Sequence, residues 1–148
     1  MTTPLKFQVA SQHTPEAGQV CAWLRAYNVE HNPQFMQYRE ANDAVPLQVA
    51  AFEDARLVGG LLGETLLEWL KISIMAVDPS HRRTGIGTAL LAEAERAAIE
   101  RGCRQAYVDT MSYQAPEFYK RCGYKIVGEI PNWDSFGHSK LFLIKTLR

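Results

Sequence analysis

The chain has 148 residues, 47% of them hydrophobic and 22% charged, which predicts a single globular domain, 1–148. Its 16 Lys and Arg balance 16 Asp and Glu, so there is no broad positive field to hold nucleic acid, and any anion has to be bound by local geometry. No apolar run approaches the roughly 18–20 residues of a membrane span, the first residues lack the parts of a signal peptide, and Cys21, Cys103 and Cys122 contain no CxxC pair. The expectation is a cytoplasmic chain with reduced thiols, no metal site, and neither nucleic acid nor membrane as partner.

Residues 5–10 alternate apolar and polar and predict a first strand. Thr14 offers an N-cap, with Pro15 at the first helical position, and Val20, Cys21, Trp23, Leu24 and Tyr27 follow as one helical stripe. The polar residues 28–32 end that helix, and Pro33 opens a shorter one through Phe35, Met36 and Tyr38. Strands are expected at 47–52 and 57–66 around a hairpin turn, with a bulge or close backbone approach near Gly59, Gly60 and Gly63. Residues 69–77 are almost continuously apolar, the mark of a strand buried on both faces, and Asp78-Pro79-Ser80 stops them. From 85 to 101 the period turns helical, about 25 Å of helix, on a stripe of Ile86, Ala89, Leu90, Ala94, Ala97 and Ala98 small enough to lie close to a sheet. A strand at 106–110, a short helix at 114–121 and strands at 124–130 and 139–147 complete the order. The passage through the long helix requires a βαβ crossover with parallel strands.

The run Val77-Asp78-Pro79-Ser80-His81-Arg82-Arg83-Thr84-Gly85-Ile86-Gly87-Thr88 joins the apolar strand to that helix. A helix start leaves backbone N–H groups without partners and carries about half a positive charge. Gly85 and Gly87 remove side chains that would keep an anion away from them, and Arg82, Arg83, Thr84 and Thr88 add donors, which makes a pocket for phosphate or pyrophosphate. The spacing is neither a Walker A loop nor the Gly-x-Gly-x-x-Gly of a dinucleotide turn.

Arg82 through Gly87 resembles the Arg/Gln-x-x-Gly-x-Gly/Ala motif of the GNAT superfamily of acetyl-CoA-dependent N-acetyltransferases, and residues 115–124, APEFYKRCGY, resemble its later A-x-x-x-Y-x-x-x-G-F/Y segment. The two motifs and the element order cover most of the chain from about Leu47 onward. The resemblance implies an α/β (α+β) fold with a mixed, mostly antiparallel sheet of about seven strands, about four helices and one crossover at the cofactor site. It also implies that acetyl-CoA lies in a gap between strands ending near Val77 and Asp109, with its pyrophosphate on the N–H groups from Arg83 to Thr88, Ile86 included. The pantetheine arm would run beside Met75, Ala76 and Val77. A backbone N–H near Met75 would polarise the thioester carbonyl, a contact typically worth about 2.7–4 kcal/mol.

Acetyl transfer to an amine through a tetrahedral intermediate needs a base for the amine proton and an acid for the leaving thiolate. Tyr119 matches the family position of the acid, and a phenol with a pKa near 10 is protonated at neutral pH. Asp109 and Glu64 are the first candidates for the base, ahead of Glu68. Where the family often has Asn before its second motif this chain has Ser112, so the usual contact falls to Ser112 or to Gln114. The four histidines lack metal-ligand spacing, and Trp133 lies in a loop suited to covering a substrate pocket. The reading is an N-acetyltransferase acting on the primary amine of a small molecule. A protein N-terminal or lysine acetyltransferase and a non-catalytic acyl-CoA-binding module are the alternatives, and a homodimer is left open.

Overall fold

The structure, a computed structural model, describes residues 3–148, which fall into two compact units, one ending at Asp43 and the other covering Ala44–Arg148. In the first, residues 5–10 form no strand, and Leu5, Phe7 and Val9 stand exposed. Alternation marks a segment able to line one face of a sheet, but a strand also needs a hydrogen-bonded neighbour, and this segment has none among the described residues. Helix α1, Glu16–His31, runs through the polar residues that were expected to end it. It stops at Asn32, whose side chain accepts from the Phe35 N–H at 3.3 Å and caps α2, Pro33–Ala41. Pro33 fits there because the first helical N–H needs no partner. Arg25 and Glu40 form an ion pair between the two helices. Asn32→Ala is expected to lower stability by about 1 kcal/mol, the usual worth of an N-cap. Urea unfolding followed by circular dichroism checks it, and an unchanged midpoint would show that the cap carries no weight.

The second unit holds β1 (Val45–Glu53), β2 (Arg56–Leu66), β3 (Trp69–Val77), a single 3-10 turn at Pro79–His81, α3 (Ile86–Glu100), β4 (Gln105–Met111), α4 (Pro116–Arg121), β5 (Lys125–Ile130) and β6 (Lys140–Thr146). The sheet has six strands in the order β1-β2-β3-β4-β6-β5. All neighbours are antiparallel except β3 and β4, which run parallel on either side of the α3 crossover. This is the expected mixed, mostly antiparallel fold, one strand short because residues 5–10 do not pair.

Helix α3 lies across β1, β2 and β3. Leu90, Leu91, Ala94 and Ala98 of the helix are buried with Leu61, Leu70, Ile72, Ala106, Val108 and Leu143 of the sheet. The small residues allow a close approach: a Cβ on Gly59 would stand 3.0 Å from Ile86 Cγ2. β3 is not buried on both faces as its apolar run suggested. Leu70 and Ile72 are buried while Trp69 and Ile74 are exposed, because α3 packs on one side of the strand only.

The feature that positions the site is a bulge in β3. Gly63 pairs with Ile72 and Leu62 with Ile74, so Ser73 is the extra residue. The chains are so close here that a Cβ on Gly63 would stand 2.5 Å from the Lys71 carbonyl oxygen. An extra residue reverses which side chains face inward and bends the strand. Met75 and Val77 therefore pack against the core beyond the bulge, and the β3–β4 ladder ends at Ile72 and Val108. From there the two parallel strands separate. No helix of the described residues is long and apolar enough to cross a membrane.

Candidate active site

The parting of β3 and β4 opens a cleft of about 450 Å³ between the end of β3, the start of α3 and the start of α4. Its polar end is the segment between β3 and α3. The Asp78 carboxylate accepts from the Ser80 N–H at 3.0 Å and closes the 3-10 turn, and Arg56 donates to its other oxygen at 2.9 Å. Arg83 then takes φ 61° and Gly85 φ 85°, and this left-handed pair turns the chain into α3. The second position suits glycine because a Cβ is strained at that φ. No side chain caps α3, and its first internal bond runs from the Ala89 N–H to the Gly85 carbonyl, so the N–H groups of Ile86, Gly87 and Thr88 have no helical partner.

Of the residues expected at the cofactor site, Met75, Ala76, Val77, Arg82, Arg83, Gly85, Ile86, Gly87 and Thr88 line this cleft. Thr84 and Ser112 do not. The Thr84 hydroxyl donates to the His81 carbonyl instead. Ser112 is engaged by Ser139, whose N–H donates to Ser112 Oγ at 3.1 Å while the Ser112 N–H bonds the Ser139 carbonyl. Gln114 does line the cleft, its side-chain oxygen held by the Met111 N–H at 2.9 Å. His81, Ala115, Phe118 and Arg121 were missed. Phe118 and Arg121 lie three apart on α4, so the helical spacing that placed Tyr119 on that helix also carried their signal.

Tyr119 reaches the cleft from α4. Its ring is pinned edge-on between Phe118 and Tyr124, at centroid distances of 5.2 and 5.8 Å. Its hydroxyl makes no hydrogen bond among the described residues. Burial, with a smaller contribution from Cys122, raises its pKa above the ordinary phenol value, so the group holds its proton at neutral pH.

The two carboxylates sit elsewhere. Asp109 is the first β4 residue beyond the last β3–β4 pair, but it belongs to the sheet face away from α3. There it accepts from the Tyr107 hydroxyl at 2.9 Å and meets Lys140 Nζ at 3.5 Å, and that ammonium lies 4.4 Å from the centre of the Trp133 ring. Glu64 pairs in register with Lys71, before the bulge, beside Trp69 and Tyr107 in a separate apolar depression. Four strand residues, about 13 Å, separate that register from Met75. The Trp133 loop is braced from within: Gly137 N–H donates to Asn132 Oδ1 at 2.7 Å and Phe136 N–H to Asp134 Oδ1 at 2.9 Å.

Tyr107 is pushed up to about 12, first by burial and then by its bond to Asp109 and the charge there. Burial lifts Tyr124 as well, with Glu95 adding to it. A phenol whose folded pKa exceeds the ordinary value of about 10 keeps a proton that the unfolded chain gives up, so stability present below about pH 10 is lost as pH rises toward the folded value. Urea midpoints are expected to fall between pH 10 and 12, and less steeply in Tyr107→Phe. Parallel profiles for the two proteins would remove Tyr107 as a cause.

The chain matches the acetyltransferase (GNAT) family over residues 17–124. It is 37% identical to blasticidin-S acetyltransferase of Streptomyces morookaense, with 84% of this chain and 96% of that protein covered. It is 30% identical to the peptidyl-lysine N-acetyltransferase YjaB of Escherichia coli (strain K12), covering 80% and 81%. A crystal structure of an acetyltransferase from Bacillus cereus ATCC 14579 superposes with a TM-score of 0.75 at 29% identity, over 95% of this chain and 97% of the other. The βαβ crossover, the cleft where its strands part and these likenesses agree: the chain is an acyltransferase of the acetyltransferase (GNAT) family.

Proposed function

We propose that this chain transfers an acetyl group from acetyl-CoA to the primary amine of a small molecule. The observation that carries the reading is that three complementary features meet in one cleft. Uncapped N–H groups at the start of α3, with Arg82, Arg83 and Arg121, suit a pyrophosphate. Beyond the bulge β3 keeps β2 on one side but has no strand on the side that faces β4, so the N–H and C=O groups of that edge suit the amides of a pantetheine arm. Tyr119 stands at the apolar end with an unused hydroxyl.

The chemistry follows from that placement. The neutral amine attacks the thioester carbonyl carbon, so an N–C bond forms and the C–S bond breaks. The Met75 N–H is the donor assigned to the carbonyl oxygen, where negative charge develops. Tyr119 gives its proton to the departing thiolate and regains one from solvent. With the cofactor held on the α3 side of the sheet, the amine comes from the other face, and Asp109 stands there at the opening. We assign Asp109 the amine proton, taken through a water, because its two oxygens are already engaged by Tyr107 and Lys140. Glu64 is the weaker candidate, being about 13 Å down the strand.

The small-molecule acceptor is supported by the relative named for blasticidin S, and the alternative, a lysine side chain of a protein, by the relative named for peptidyl-lysine. One experiment separates them. Thermal melts with acetyl-CoA, CoA, ATP and NAD come first, and a ligand at 100 times its dissociation constant adds about 2.7 kcal/mol. Thiol release from acetyl-CoA is then measured with a panel of small amines and of lysine peptides. Melting shifts with acetyl-CoA and CoA alone, followed by turnover of a small amine, are expected. Turnover of peptides alone would favour the alternative, and no shift with acetyl-CoA would overturn the cofactor assignment.

A further inference from the structure

The acetyl-transfer chemistry leaves one titratable group of the cleft unused. His81 closes the 3-10 turn just before the two arginines, and its side chain is only 19% exposed. One ring nitrogen, Nε2, lies 2.9 Å from Glu53 Oε2 at the end of β1. The other, Nδ1, lies 3.0 Å from Ser80 Oγ, which is itself 2.9 Å from Asp78 Oδ1. Asp78 Oδ2 in turn accepts from Arg56 at the start of β2. The chain of contacts thus runs from both strands of the β1–β2 hairpin to the loop, and the Thr84 hydroxyl grips the His81 carbonyl from the far side.

Counting protons shows which form of the imidazole completes this chain. A carboxylate only accepts, so Nε2 must donate to Glu53. In the neutral ring Nδ1 then has to accept, and the single Ser80 hydroxyl proton is contested between His81 and Asp78. The imidazolium donates at both nitrogens, Ser80 accepts from it and donates to Asp78, and every contact is made at once.

We propose that His81 is a positioning residue for the anion loop: its ring, held at both nitrogens, fastens Arg82, Arg83 and the start of α3 to the β1–β2 hairpin through Glu53, and so sets the affinity for the phosphate-bearing end of acetyl-CoA. The proposal rests on the reading of the cleft as a coenzyme A site. The charged groups around the ring are Glu53 from β1, Arg56 from β2, Asp78, and Arg82 and Arg83 of the loop.

The test is calorimetric titration of CoA into the full chain for the wild type, His81→Phe, His81→Gln and Glu53→Gln, with steady-state kinetics on acetyl-CoA beside it. His81→Phe is expected to raise the CoA dissociation constant about fivefold, the upper range for a partly exposed polar pair. His81→Gln keeps one donor and should fall between the two. Glu53→Gln keeps the ring near the phosphates but loosens the fastening, so it also should weaken binding. KM for acetyl-CoA should rise in each variant without a fall in kcat. Equal affinities for wild type and His81→Phe would overturn the proposal while leaving the coenzyme site standing. So would tighter binding by Glu53→Gln, which would leave His81 acting as a charge alone, or a fall in kcat with KM unchanged. A wild type that binds no CoA would remove the site reading and the proposal with it.

Discussion

Tyr119→Phe is expected to lower kcat about a hundredfold while leaving the affinity for CoA within twofold of wild type. A positioned general acid typically contributes about 10²–10⁴-fold, and a hundredfold is about 2.7 kcal/mol of barrier. The lower end applies because a thiolate is a fair leaving group even without help. The variant is well controlled by its surroundings. The ring stays held edge-on by Phe118 and Tyr124, and the hydroxyl that is lost makes no hydrogen bond among the described residues, so the fold gives up no bond. Melting temperature should therefore stay close to wild type, as should the shift produced by saturating CoA. Steady-state thiol release and calorimetry read the two quantities separately. An unchanged kcat would remove Tyr119 from the chemistry and leave a ring that only packs. A loss of CoA affinity equal to the loss of rate would make it a binding residue instead.

The second unit was legible in the sequence to within a residue or two at most element ends, because its signals are local. Pro79 and Gly85 punctuate the chain, α3 carries a small-residue stripe, and Gly102, Gly123 and Pro116 mark ends. The glycines of β2 also announced a close approach, though not where its consequence would lie: the residue that bulges is Ser73, on the neighbouring strand. What the sequence misread depends on partners it does not name. Residues 5–10 have the alternation of a strand and no strand to pair with. Trp69–Val77 has the composition of a doubly buried strand and one packed face. At the site, the backbone-borne features were readable from Arg82, Gly85 and Gly87, since a motif prescribes backbone shape. The faces that the two carboxylates take were not, because a strand residue's face and height in the sheet are set by its pairing register, which depends on partner strands far along the chain. Glu64 flanks the turn into the apolar strand, and the register puts it beside Lys71, before the bulge. His81 carries no signal in the sequence beyond its lack of metal-ligand spacing. Its meaning lies in Glu53, 28 positions earlier.

Gly87→Leu is expected to raise the dissociation constant for CoA at least a hundredfold, about 2.8 kcal/mol at 1.4 kcal/mol per decade, without destabilising the fold. The two effects have different origins and need not share a sign. Gly87 lies in the first turn of α3 with ordinary helical backbone, since it is absent from the positions with positive φ. Leucine is a far better helix former than glycine, by up to about 1 kcal/mol at an interior position. A Cβ here would stand 3.4 Å from Phe118 Cζ, tight but against a ring edge on the short helix α4 rather than against backbone. The rest of a leucine side chain has only the cleft to enter, where it would stand over the N–H groups of Ile86, Gly87 and Thr88 and between Phe118 and Val77. A phosphate kept even one side chain's width from those groups loses its charge-assisted bonds and the local field of the helix end, which falls off within the first turn. Gly85 does not offer the same separation, because its φ of 85° adds backbone strain to any substitution. Urea unfolding and CoA calorimetry on Gly87→Leu therefore give two independent readings. A stable variant that no longer binds CoA is the expected pair. A stable variant that binds CoA as wild type does would show that the pyrophosphate lies elsewhere, and with it the assignment of the α3 start as the cofactor anchor would fall.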